Sequence, residues 1–186
     1  MTIDELISDA TRRMDKSIES THGELNTVRT GRASAALLDR IQIDYYGQKT
    51  PLKQLATINV PEPRLLTIQP FDPSSLSTIE RALQESELGL TPSNDGKIIR
   101  LPIPQLTEER RRELVRVVRQ IAEDGRVAVR NVRRDVIHHL KELSHDGEVG
   151  DDDERRAEER VQKLTDEHTH KIDDLLNRKE AEIMEV

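Results

Sequence analysis

Residues 107–143 read TEERRRELVRVVRQIAEDGRVAVRNVRRDVIHHLKEL, and one face of this stretch is arginine. Arg112, Arg116, Arg119, Arg126, Arg130 and Arg133 are spaced 4, 3, 7, 4 and 3 residues apart. At about 100° per residue, these side chains fall within roughly a third of a turn of one another. Leu114, Val118, Ile121, Ala128, Val132, Val136 and Leu143 fall on the opposite side. The spacing predicts one amphipathic helix of roughly 35–40 residues, about 55 Å long at 1.5 Å rise per residue.

A guanidinium row on such a helix suits a phosphate backbone. Each arginine carries a planar fork that holds a phosphate through two parallel hydrogen bonds, and a rigid helix repeats the fork at fixed intervals. A generic solvated helix mixes lysine and glutamate as i,i+4 pairs. This row is all arginine, with Glu123 the only acid near its centre line. The pattern points to RNA or another polyanion and leaves a plain solvated charged face as the alternative.

Net charge is −7 over 186 residues, which on its face argues against nucleic acid. Taken locally, residues 1–30 carry −2, residues 31–106 carry 0, residues 107–145 carry +3 and residues 146–186 carry −8. The charge is segregated, so the global value is a poor guide to the partner. Charged residues make up 35% and apolar residues 34%, while aromatics are only 2%. So light a core suits long helices packed side by side. With no cysteine there is neither a disulfide framework nor thiolate chemistry. The acidic, amphipathic N-terminus lacks an apolar signal region, and no apolar run reaches about 18 residues, so a cytoplasmic protein without membrane contact is expected.

The rest of the chain divides around the arginine stretch. Ile3, Ile7, Ala10, Met14, Ser17, Thr21, Leu25 and Val28 follow a 3-4 spacing widened by Leu6 and Ile18, which predicts a helix over residues 3–28. The pattern stops at Thr30-Gly31, where Gly31 is a candidate helix terminator and Arg29 and Arg32 bracket it, placed either to complement the helix dipole or to touch phosphate. From Asp39 the period becomes two. Strands are expected at Arg40–Tyr45, Leu55–Val60, Leu65–Gln69 and Lys97–Ile103, with a turn at residues 46–49 and a short helix after Pro73 that ends at Gly89. Residues 31–106 thus read as a mixed α/β module of about four strands and one helix. Pro102-Ile103-Pro104 breaks that pattern before Thr107 caps the long helix. A loop over residues 144–150 leads to a last helix with Ala157, Val161, Leu164, His168, Ile172, Leu175 and Ile183 inward.

The fold class is α+β: a long three-helix bundle from residues 1–29 and 107–186, with a small mixed α/β domain inserted at 31–105. The paired linkers, Thr30-Gly31 and Pro104-Gln105-Leu106, read as hinges near 30–31 and 104–106. The sequence lacks GxxxxGK[ST], GxGxxG and GxSxG motifs. His138-His139 and His168-x-His170 point to different helix faces, so neither makes a metal site, and His168 reads as a core residue. No catalytic residue, metal or cofactor is expected.

Arg29-Thr30-Gly31-Arg32-Ala33, Tyr45-Tyr46-Gly47, Leu106-Thr107-Glu108-Glu109-Arg110-Arg111, Val129–Asp135 and Lys179–Glu182 together resemble the bacterial ribosome recycling factor family, in order and across essentially the whole chain. One departure is Pro104-Gln105-Leu106-Thr107, where many members read Pro-Pro-Leu-Thr. The resemblance implies an L-shaped two-domain protein whose bundle lies on large-subunit ribosomal RNA. Elongation factor G, using GTP, would then drive the second domain and split the ribosome, with this chain a monomer that hydrolyses nothing itself. It carries Arg130, Arg133 and Arg134, and with them Arg29, Arg32 and Arg110, onto the RNA contact, where the arginine row already points. A coiled-coil adaptor or scaffold without RNA binding would also explain the helices and the acidic tail, yet it has no need of an arginine face.

Overall fold

The computed structural model describes residues 1–185. In chain order the elements are α1 (Ile3–Thr27), β1 (Gln42–Tyr45), β2 (Gln48–Pro51), β3 (Ala56–Glu62), β4 (Leu65–Pro70), α2 (Leu76–Glu85), β5 (Ser93–Asn94), β6 (Ile99–Pro102), α3 (Glu108–His145) and α4 (Asp151–Met184). Two compact units result: Met1–Arg29 with Glu108–Glu185, and Thr30–Thr107.

The first unit is α1, α3 and α4 packed along their lengths. Thr2 starts α1 with a reciprocal cap: its hydroxyl accepts from Glu5 N at 3.2 Å, and Glu5 Oε2 accepts from Thr2 N at 2.7 Å. The helix ends at Thr27, with Val28 already extended. Gly31 is therefore not its terminator; its positive φ of 75° belongs to the linker beyond.

The buried stripes differ from the sequence pattern in a consistent way. On α3 the buried positions are Leu114, Val118, Ala122, Gly125, Val129, Val132, Val136 and Leu140, whereas Ile121, Ala128 and Leu143 are only half-buried. On α1, Leu6 is buried while Ile3 and Ile7 lie at the edge; on α4, Thr165 and Leu176 are buried in place of Leu164 and Leu175. On α3 the stripe runs through the small residues Ala122 and Gly125, which a search for bulky apolar side chains passes over. Gly125 is the clearest case. A β-carbon there would overlap Thr21 Oγ1 and lie 3.1 Å from Thr21 Cγ2 and 3.2 Å from Ile172 Cδ1. All three helices converge on that missing side chain. His168, 1% exposed, is a core residue as expected, its ring nitrogens 2.7 Å from the Leu164 carbonyl and 2.7 Å from Asp15 Oδ1.

The second unit holds six strands rather than four. β1 and β2 form a separate antiparallel hairpin, and the other sheet has the antiparallel order β3-β4-β6-β5. The hairpin return strand, Gln48–Pro51, lies within and just after the stretch read as a turn, and the turn itself is only Tyr46-Gly47. β3 runs through Pro61 to Glu62, with a register shift between Asn59 and Glu62. Proline is tolerated there because β3 is an edge strand. The core is Leu38, Ile43, Leu52, Leu66, Ile68, Ile79, Leu83, Ile99 and Leu101, with α2 covering the strands. Asp72 Oδ1 caps the turn into α2 by accepting from Ser74 N at 3.0 Å.

Asp95, in the turn before β6, accepts from the backbone of Ile98 at 2.9 Å and Lys97 at 3.0 Å and from Arg100 at 3.1 Å. The two backbone bonds, aided by Arg100, lower its pKa from 3.8 to about 2.

Two outcomes follow from these contacts. Gly125→Ala will destabilise the bundle by about 1–3 kcal/mol despite alanine's better helix propensity, and Thr21→Ala in the same chain will recover part of the loss; urea unfolding measures both. Because Asp95 has a depressed folded pKa, its stabilising effect is complete above the ordinary carboxylate range and disappears as pH falls through about 2. A carboxyl NMR titration should therefore find Asp95 ionised at pH 3, and a midpoint near 4 would contradict the turn geometry.

Candidate nucleic-acid interface

The arginines of α3 arise from a simple helical relation. The buried stripe includes Ala122, Gly125 and Val129 rather than Ile121 and Ala128. That rotation brings the stripe's centre to about 100° from the arginine row at 100° per residue, so the row flanks the core instead of opposing it. One edge of the row consequently meets α4.

Arg119, Arg126 and Arg133 recur every seven residues on α3, and Asp166, Asp173 and Glu180 recur every seven on α4. Arg119 Nε donates to Glu180 Oε1 at 2.6 Å. Arg126 donates to Asp173 Oδ1 from Nη2 at 2.6 Å and from Nε at 2.9 Å, and from Nη1 to Glu123 at 3.2 Å. Arg133 Nη1 donates to Gln162 Oε1 at 3.2 Å, and Gln162 Nε2 in turn donates to Asp166 at 2.8 Å. This is the flank pairing of an antiparallel helix pair. Arg130 Nη2 lies 2.5 Å from Glu123 Oε1, and hydrogen bonds from Arg130 and then Arg126 hold the Glu123 carboxyl below its usual range. Arg126 is 22% exposed; burial opposes its charge, but its bonds to Asp173 and Glu123 outweigh that and raise its pKa.

The remaining predicted arginines are more open. Arg112 pairs with Glu108 on its own helix and stays 72% exposed. Arg110 donates to Glu113 at 2.8 Å, and Arg134 donates to Asn131 at 2.9 Å. Arg29, Arg32 and Arg116 are all exposed, and Arg116 makes no hydrogen bond or ion pair among the described residues. The row therefore contains two kinds of arginine. Arg126 is built into the α3–α4 seam, whereas Arg112, Arg116 and Arg134 present their forks to solvent.

Arg111 is a residue the spacing argument missed. It is half-buried, and its Nε is shielded from solvent without a hydrogen-bond partner among the described residues. The signal was available: Arg111 lies three residues before Leu114, at a position of the apolar stripe.

The linker residues have their own geometry inside the second unit. Gly31 lies against Leu106, whose Cγ would be 2.9 Å from a β-carbon at position 31. Just beyond each linker the chain is anchored to the β3–β4 turn: Ala33 N donates to the Pro63 carbonyl at 2.7 Å, and Ile103 N to the Arg64 carbonyl at 2.8 Å. Gly31 is thus required twice over, by its positive φ and by the side chain packed on it. Among the described residues no group of three or more histidines and carboxylates could hold a metal ion, and no helix is long and apolar enough to cross a membrane.

Comparison with known proteins comes to one answer. The ribosome recycling factor family matches residues 21–184. The chain is 60% identical over 180 residues to the ribosome-recycling factor of Rubrobacter xylanophilus, covering 97% of each chain. It is 58% identical over 182 residues to that of Halalkalibacterium halodurans, covering 98% of each. A solution structure of the ribosome recycling factor matches with TM-score 0.73 at 44% identity, covering 100% of this chain and 99% of that one. The T. thermophilus ribosome recycling factor, in a structure with E. coli elongation factor G bound to the E. coli post-termination complex, matches with TM-score 0.64 at 47% identity, covering 99% of this chain and 100% of that one.

The seam geometry predicts coupling between Arg126 and Asp173. Each alanine substitution should cost about 1–2 kcal/mol, and the double substitution should cost clearly less than the sum, as read from a urea-unfolding cycle. Strict additivity would show that the pair contributes nothing jointly.

Proposed function

This chain belongs to the ribosome recycling factor family, and we propose from that premise that it binds the post-termination ribosome through large-subunit ribosomal RNA and, with elongation factor G and GTP, splits it into subunits. The observation that supports the RNA contact is the open part of the α3 row: Arg112, Arg116 and Arg134 hold exposed forks on one rigid helix. Arg119, Arg130 and Arg133 flank them, held in place by acceptors that a phosphate can replace. Such contacts read shape and phosphate position rather than base sequence. The family resemblance adds Arg29 and Arg110 of the helical unit and Arg32 of the second unit to the contact.

The mechanism then needs an anchored body, a joint and an external push. The three-helix unit is the anchored body. Residues 30–31 and 104–106 are the joint, since each lies just outside a backbone anchor on Pro63 or Arg64. The push comes from the GTPase, so the chain itself performs no catalysis and acts as a cytoplasmic monomer. A scaffold without RNA affinity accounts for the packed helices but leaves the open arginines without a role.

Arg116→Ala should weaken ribosome binding and lower the slope of log affinity against log salt by about 1, because one phosphate contact fewer releases fewer counterions. Arg126→Ala should change the slope much less while reducing stability. Co-sedimentation over a salt series measures both, and equal slopes for wild type and Arg116→Ala would remove Arg116 from the RNA face.

A further inference from the structure

Ion pairs on the surface of a protein contribute little to its stability, since both partners give up hydration and side-chain freedom to form them. The pair between Arg119 on α3 and Glu180 on α4 is of this kind on one side only. The Arg119 side chain is 64% exposed, whereas that of Glu180 is recessed at 24%. Their contact uses one edge of the guanidinium: Nε donates to Glu180 Oε1 at 2.6 Å. The terminal nitrogens, Nη1 and Nη2, donate to nothing among the described residues. Glu180 therefore holds the stem side of the guanidinium and leaves its outer fork open.

The other arginines of the row are held differently. Arg126 gives Nε and Nη2 to Asp173 and Nη1 to Glu123, and its side chain is only 22% exposed. Arg112 and Arg130 pair with carboxylates of their own helix, Glu108 and Glu123. Arg133 gives one terminal nitrogen to Gln162, a neutral acceptor. Arg116, one turn before Arg119, is exposed and has no such partner among the described residues. In this row Arg119 alone is well exposed, oriented by a carboxylate on another helix, and still open at its fork.

A carboxylate in that place acts on an approaching phosphate in two opposed ways. Its charge repels the phosphate and cancels part of the attraction to Arg119. Its hydrogen bond fixes the guanidinium, so less side-chain freedom is lost when the fork closes on an oxygen. The repulsion applies to every polyanion in whatever pose. The fixed fork helps only an RNA that brings a phosphate to that position.

We propose that Glu180 is a specificity-determining residue of the arginine face: it positions the Arg119 fork for ribosomal RNA and lowers the affinity for RNA of other shape. The inference rests on the RNA contact proposed above and adds to it a residue that acts through Arg119 without touching RNA itself.

The test compares affinity for post-termination ribosomes with affinity for bulk tRNA, a folded RNA without the ribosomal surface, using the full-length chain. Glu180→Ala removes the charge and the hydrogen bond together. It should tighten tRNA binding about threefold, the size of one charge's repulsion across a guanidinium in water, while ribosome affinity stays within about twofold because the fork is no longer held. The preference for ribosomes then falls. Glu180→Gln removes the charge but keeps an acceptor for Nε, so both RNAs should gain alike and the wild-type preference should return. Asp174→Asn makes the same change in net charge on the α1 side of α4, where Asp174 lines a groove with Asp15 and Lys171, and should leave both affinities close to wild type. In an Arg119→Ala background, Glu180→Ala should no longer alter the preference. Urea unfolding of Glu180→Gln should match wild type, which separates changed binding from changed fold. An unchanged preference in Glu180→Ala, or an equal fall in Asp174→Asn, would overturn the assignment and leave the RNA contact standing. If the wild-type chain does not bind ribosomes, the recycling function and this assignment fall together, an outcome distinct from ribosome binding with no change in preference.

Discussion

The bundle depends on the approach of Thr21 to Gly125. With almost no aromatic volume available, three long helices bury enough surface only by coming close, and closeness demands small side chains where they converge. Glycine inside a helix costs about 1 kcal/mol relative to alanine. That cost is offset by the packing of α1 and α4 against the gap, where Thr21 and Ile172 fill the space a β-carbon would take. The Thr21 hydroxyl remains satisfied meanwhile, donating to the Ser17 carbonyl at 2.8 Å. A single glycine therefore sets the spacing on which the rest of the buried stripe relies.

The same rotation of α3 explains why its arginines divide in two. Once the stripe runs through Ala122, Gly125 and Val129, the heptad-related arginines come within reach of α4 and its equally spaced acids. The acidic C-terminal segment neutralises one edge of the row and fixes its geometry. The other edge stays open, so one short sequence pattern builds both a packing seam and the exposed arginine face proposed for phosphate. Arg126 and Arg116 are ten residues apart on one helix and have different physical roles.

The three helices and the inserted module were legible because long apolar periodicities and clusters of proline and glycine are strong local signals. Other features were not, for identifiable reasons. Strand β2, Gln48-Lys49-Thr50-Pro51, has no apolar alternation and is stable only through its pairing with β1. Tyr46-Gly47 lacks the asparagine that would have announced a two-residue turn. Gly125 carries no side chain by which to assign it to a face, and without it Ile121 and Ala128 drew the stripe away from its true centre. The arginine row itself was plain in the sequence, yet its acceptors lie on another helix, with Asp173 and Glu180 reading only as part of an acidic tail. Pairing across helices is a tertiary fact, and composition records it merely as balance.

The two ends of the second unit converge on neighbouring carbonyls, Pro63 for the incoming chain and Arg64 for the outgoing one, with Gly31 packed on Leu106 between them. An insertion whose entry and exit are stitched together this closely is a cassette. From the standpoint of α1 and α3 it is topologically no more than a long loop, and from its own standpoint it is a domain with a closed core. Lineages can therefore lengthen, trim or replace the cassette's outer surface while the helical register, set elsewhere, is inherited unchanged.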